Sequence, residues 1–98
     1  MRIEIKPSAR AHQITGDEIR AVIANPALRL PIAARRAGAL LVIYIGPAAT
    51  NQPWIEVIAD HIDPAVAEVF HAMMLRPVTI QSLRLDELVD PDYGPQRA

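Results

Sequence analysis

The strongest constraint on the fold is the run from Ala39 to Ile45, which is apolar without a break (Leu40, Leu41, Val42, Ile43, Tyr44, Ile45). It is short and rich in β-branched residues. The turn Arg35-Arg36-Ala37-Gly38 precedes it and Gly46-Pro47 ends it. Such a run predicts a central strand buried on both faces. A polar loop through Asn51 to Pro53 leads into Trp54 to Ala59, the next strand. There Ile55, Val57 and Ala59 fall on one side, and Trp54, Glu56 and Ile58 on the other.

The N-terminal half adds helices to these strands. Arg2 to Ile5 predicts a short strand with Ile3 and Ile5 on one face, ended by Pro7. Ser8 is placed as the cap of a short helix over Ala9 to Gln13. Thr15-Gly16-Asp17-Glu18 is a capping box, with Glu three residues after Thr. It opens a helix whose stripe is Ile19, Val22 and Ile23, and Asn25-Pro26 stops it. Leu28-Arg29-Leu30 predicts a brief edge strand, because Pro31 suits an edge and not a sheet centre.

Residues 63–75 leave two alternatives. In a helix, Asp63 caps, Pro64 takes the first position, and Val66, Val69, Phe70, Met73 and Met74 form a stripe. In a strand, Asp63-Pro64 is the turn of a hairpin after Ala59. Beyond Pro77, Thr79 is expected to cap a helix over Ile80 to Leu83, extending toward Val89. The expectation is one α+β domain over residues 1–98, with an extended acidic tail at 86–98.

Composition narrows the chemistry. The absence of cysteine excludes disulfides, thiolate metal sites and a cysteine nucleophile. His12, His61 and His71 lack ligand-like spacing, so no metal and no cofactor are assigned. No apolar run approaches the length of a membrane span. The N-terminus alternates charge with apolar residues, unlike a signal peptide, so a cytoplasmic protein is expected. Net charge is −1, which does not suit a general nucleic-acid binder. Its distribution is uneven: residues 1–36 hold seven basic groups against three acids, and the acids Asp86, Glu87, Asp90 and Asp92 gather near the other end.

Three local patterns carry a family resemblance. Arg10-Ala11-His12-Gln13-Ile14-Thr15 is similar to the "K-H-G-[IV]-[ST]" step before the second helix of BrnT-type toxins. Ile19 to Pro26 resembles the acidic, Asn-Pro-terminated helix that follows there. Phe70-His71-Ala72-Met73 falls where that family carries "[IV]-S-A-R" on its last strand. Gln13 and Met73 depart from the pattern, and the region after Pro77 lacks the family's basic run. The resemblance decides residues 63–75 in favour of a strand. It implies a RelE/BrnT-like fold: a small antiparallel sheet of four to five strands with two N-terminal helices and a C-terminal helix. It also implies RNA cleavage and neutralisation by a co-encoded antitoxin.

Cleaving RNA needs a base for the 2′-hydroxyl, an acid for the leaving oxygen and cations for the developing charge. His71, Arg76 and His12 are the catalytic candidates. Arg35, Arg36 and Arg10 are the candidates for RNA contact, Arg being suited to bidentate phosphate binding. Each has a plainer reading: a core histidine, a solvated charge, a helix-end cation. Tyr44 and Trp54 are candidates that read more simply as core, and Glu56 and Glu68 would form an acid/base pair if they met across adjacent strands. The partners expected are a cognate antitoxin and RNA, with no membrane. The alternative function is a catalytically inactive binding domain acting through a protein partner. The acidic tail is expected either to screen the basic N-terminal half or to mediate self-association into a homodimer.

Overall fold

A computed structural model describes residues 1–97. Five strands form one sheet: β1 (Arg2–Ile5), β2 (Leu28–Ile32), β3 (Leu41–Pro47), β4 (Trp54–Asp60) and β5 (Val66–Met74), in the order β1-β5-β4-β3-β2. The β2-β3-β4-β5 portion is antiparallel, whereas β1 runs parallel to β5. Helix α1 (Gly16–Ala24) and the short helix α2 (Pro77–Ser82) complete the regular elements, with a single 3₁₀ turn at Pro7–Arg10.

This overturns the expected sheet-and-helix inventory. The sheet is mixed, only one of the two expected N-terminal helices exists, and the C-terminal helix has six residues. Each difference has a local cause. The Pro7–Arg10 turn has no side-chain cap, and one turn cannot sustain an α-helix. Ser8 does not cap it; its hydroxyl donates to the Phe70 carbonyl at 2.7 Å. Thr79 does not cap α2 either, since Arg76 holds that position and the Thr79 hydroxyl points to Glu56. The α2 helix stops in a Schellman turn. Arg84 adopts a left-handed conformation (φ 56°), its N–H donates to the Gln81 carbonyl, and the Leu85 N–H donates to that of Ile80. The helix therefore never reaches Val89.

The two faces of the sheet have separate cores. Tyr44, Val57, Ala72, Val69 and Ile5 lie on the face covered by Ile19, Val22 and Ile23 of α1. The Thr15–Glu18 capping box starts that helix as expected, with both reciprocal bonds formed. On the second face, Ile43 and Ile45 pack with Leu75, Ile80 and Leu85. Here α2 and the turns after it cover one end, near Trp54, and leave the other end open. β3, sandwiched between these layers, is buried along almost its whole length.

Residues 66–74 form a strand, which settles the local ambiguity against a helix. Asp63 makes the turn: its carboxylate accepts from the Ala65 N–H and its carbonyl from that of Val66. A bulge then interrupts β5. Ile58 pairs with His71 but Ala59 pairs with Val69, so Phe70 is an extra residue. The 3₁₀ turn covers β5 just beyond the end of β1, with Ser8 holding the bulged carbonyl.

The described part of the tail lies on the domain. Asp92 accepts from the Trp54 N–H, the Gln96 side chain donates to the Met74 carbonyl, and Arg97 pairs with Glu18 on α1. The tail's cation thus meets a helix acid.

Gly46 gives a test of the β2–β3 splice. A Cβ there would lie 2.8 Å from the backbone nitrogen of Ala27, whose N–H donates to Ile45. Backbone cannot step aside as a side-chain tip can. Gly46→Ala is expected to destabilise the protein by about 1–3 kcal/mol, the usual range for overpacking, read as a lower urea midpoint with an unchanged slope.

Candidate functional site

At the centre of the second face is Glu56, a carboxylate with no solvent exposure. It arises from simple alternation: its neighbours on that side of β4 are Trp54 and Ile58. An unpaired carboxylate would be intolerable in this position. Donors surround it instead. His71 Nε2 lies 2.8 Å from Oε2, and Arg76 donates from Nη2 to Oε2 at 2.9 Å and from Nε to Oε1 at 3.1 Å. The Arg76 backbone N–H (3.1 Å) and the Thr79 hydroxyl (2.7 Å) also donate to Oε1.

The chain's path explains how these donors converge. β4 and β5 are antiparallel neighbours, and His71 sits diagonally across from Glu56 on the same face. β5 then passes through Leu75 into α2, which brings Arg76 and Thr79 over the carboxylate. Burial pushes the Glu56 carboxyl upward, but the bonds from His71, Arg76 and Thr79 outweigh it and lower its pKa from 4.5 to about 2. The Arg76 guanidinium is shifted upward in turn by its bonds to Glu56.

An ionised carboxylate only accepts hydrogen bonds. The ring proton of neutral His71 therefore resides on Nε2, and Nδ1 carries the lone pair. This is how a buried acid orients a histidine to act as a base. The His71 side chain is 23% exposed and that of Arg76 41%, so both reach solvent while Glu56 does not.

His12 lies in the connection between the 3₁₀ turn and α1. Its ring centroid is 6.2 Å from that of His71, edge to face. The three catalytic candidates, His71, Arg76 and His12, thus belong to one neighbourhood although they are far apart in the chain. Arg35 and Arg36 are exposed on the β2–β3 connection, and Arg36 approaches Asp60 at 3.8 Å. Arg10 is exposed at the end of the 3₁₀ turn.

Of the remaining candidates, Tyr44 and Trp54 follow their simpler reading as core, and the Glu56–Glu68 pair does not form. Glu56 and Glu68 do not meet: Glu56 is opposite Met73, and Glu68 is opposite Asp60. Tyr44 is buried on the α1 face, hydrogen-bonded to His61, with the Arg29 guanidinium 5.5 Å from its ring centroid. Trp54 packs against the α2-side core. Neither joins the histidine pair. Among the described residues, no group of three or more His, Asp or Glu side chains is arranged to hold a metal ion. Among the described residues, no helix is long and apolar enough to cross a membrane.

From the sequence, Glu56 was nominated only as a partner for Glu68 and Thr79 only as a helix cap, so the cluster they form with His71 and Arg76 was missed. The signal was present for Glu56, a lone acid on a strand face otherwise occupied by Trp54 and Ile58. Comparison with protein-family models, curated proteins and solved structures returns no match.

The buried carboxylate makes stability depend on acid. A carboxyl whose folded pKa is depressed contributes stability above its unfolded pKa and loses it as pH falls toward the folded value. For Glu56 the window runs from 4.5 down to about 2, worth on the order of 3 kcal/mol. Glu18, held at about 2 chiefly by its Arg97 bonds, adds to the same loss. Urea unfolding across this range should show the decline. Glu56→Gln should be less stable at neutral pH by about 3–5 kcal/mol, as when one partner of a buried pair is removed, and should have a flatter acid limb.

Proposed function

We propose that the chain cleaves RNA by acid/base catalysis, as the toxin component of a bacterial toxin–antitoxin pair. One observation carries the chemistry: His71 and Arg76 are oriented by a buried acid, Glu56, and the His12 ring lies beside that of His71. His71 Nδ1 accepts the proton of the ribose 2′-hydroxyl. The 2′-oxygen attacks phosphorus, and the bond to the 5′-oxygen breaks. Protonated His12 donates to the departing oxygen. The products are a 2′,3′-cyclic phosphate and a 5′-hydroxyl. Arg76 has donors beyond those given to Glu56, and these meet the charge that develops on the phosphoryl oxygens. The toxin role rests on the resemblance of residues 10–15, 19–26 and 70–73 to BrnT-type proteins, and its partner would be a co-encoded antitoxin.

A second reading has its own support. His71 and Arg76 both direct donors at Glu56, an arrangement that also serves a purely structural purpose. A catalytically inactive domain acting through a protein partner would retain this network for its stability. It predicts tight partner binding without nuclease activity.

Purified protein incubated with single-stranded RNA separates the two. Cleavage with cyclic-phosphate ends is expected, and DNA of the same sequence should survive because it lacks the nucleophile. His71→Ala should reduce the rate by about 10²–10⁴, the usual contribution of general acid–base catalysis, with circular dichroism confirming the fold. Full activity in both His71→Ala and Arg76→Ala would remove these assignments, and an inactive wild-type chain would leave the binding-domain reading.

A further inference from the structure

The open end of the second face forms a groove of about 690 Å³. That volume lies in the range of small-ligand sites, roughly 300–1,000 Å³. Ile58 and Phe70 line it on the sheet, and the β2–β3 connection borders it with Arg35 and Arg36. Lys6 supplies a third cation and Glu68 a carboxylate. The groove adjoins the histidine site directly. Ile58 pairs across the strands with His71, and Phe70 is the bulged residue immediately before it.

We propose that this groove seats one nucleotide of a single-stranded RNA, next to the bond cleaved, and prefers a base with two adjacent N–H donors. Three features favour that occupant. A half-buried phenyl ring on an apolar floor suits a base stacked on its face. Three cations at the margin suit the phosphates on either side. Glu68, unlike Asp60, makes no hydrogen bond or ion pair among the described residues. Asp60 is committed to the Leu40 and Ile62 N–H groups and approaches Arg36. A carboxylate accepts from base amino groups. Guanine presents two adjacent N–H donors that match two carboxylate oxygens, whereas the single N–H of uracil is flanked by two carbonyl oxygens that a carboxylate repels. From Glu68 to His71 is three residues along one strand, within about 10 Å. A nucleotide bound at Glu68 therefore adjoins a phosphate at His71.

The choice of RNA rests on the ribonuclease reading; the seat itself rests on the groove. Binding and cleavage are therefore measured separately. Fluorescence anisotropy uses labelled 2′-O-methyl oligonucleotides, which lack the nucleophile. Guanine-containing oligonucleotides should bind tighter than oligouridylate. Phe70→Ala should weaken binding on the order of tenfold, the loss of one stacked base. Glu68→Gln should erase the base preference, and Ala34→Trp, at an exposed groove position, should block binding without touching the core. Unchanged affinity and preference in all three variants would overturn the seat, even if the protein cleaves RNA. Groove-dependent binding by a protein that cleaves nothing would uphold the seat and overturn the ribonuclease reading. Absence of oligonucleotide binding would overturn the seat outright.

Discussion

A carboxylate cannot lie inside a protein without donors, and Glu56 organises much of this structure around that requirement. Its bonds to His71, Arg76 and Thr79 reach from β4 to β5, to the turn after β5 and into α2. The short α2 helix has little length with which to hold itself in place. Its position over the sheet is set by these bonds at its first turn and by Ile80 and Leu85 beneath it. The same interactions that anchor the helix leave a histidine and an arginine oriented and partly exposed. Structure and candidate chemistry thus share one set of hydrogen bonds.

The two faces of the sheet divide the work. The α1 face is closed by an amphipathic helix and a buried strand register, and its polar groups, such as Tyr44 and His61, satisfy one another. Burial and the nearby Arg29 shift the His61 imidazole downward, which favours the neutral ring. The second face is only partly covered, because a Schellman turn ends α2 after six residues. Ile58 packs at the margin of the α2-side core, and beyond it Glu68 and Phe70 line the groove beside His71.

The parts of this arrangement legible in the sequence were those governed by neighbouring residues. The Thr15–Glu18 box, the apolar run ending at Ile45 and the alternation from Trp54 to Ala59 each state their structure within a few positions. Residues 66–74 were less clear, because Val66, Val69, Phe70 and Met73 satisfy a helical stripe as readily as a bulged strand. A bulge displaces alternation by one residue, and Phe70 does this. The fold as a whole was misjudged where non-local contacts decide. Nothing in Arg2 to Ile5 indicates a parallel partner at Val66 to Val69. Thr79 looks like a helix cap until the buried Glu56 is known to lie within its reach. For the site, residue type nominated His71, Arg76 and His12, but only three dimensions bring His12 beside His71 and reveal the acid that orients His71 and Arg76.

The parallel pairing of β1 with β5 has a consequence for the order of assembly. β1 has one neighbour in the sheet, and that neighbour begins at Val66. β1 must therefore wait, unpaired, until β5 has been made, since such distant contacts form late and slowly. During synthesis from the N-terminus, β2, β3 and β4 can form a meander before β5 emerges, but β1 cannot yet dock. The 3₁₀ turn and His12 follow β1 directly, and Ser8 is fixed by the carbonyl of Phe70. The histidine pair is consequently among the last features to form. A nascent chain would carry the β2–β4 meander well before it carried the assembled site.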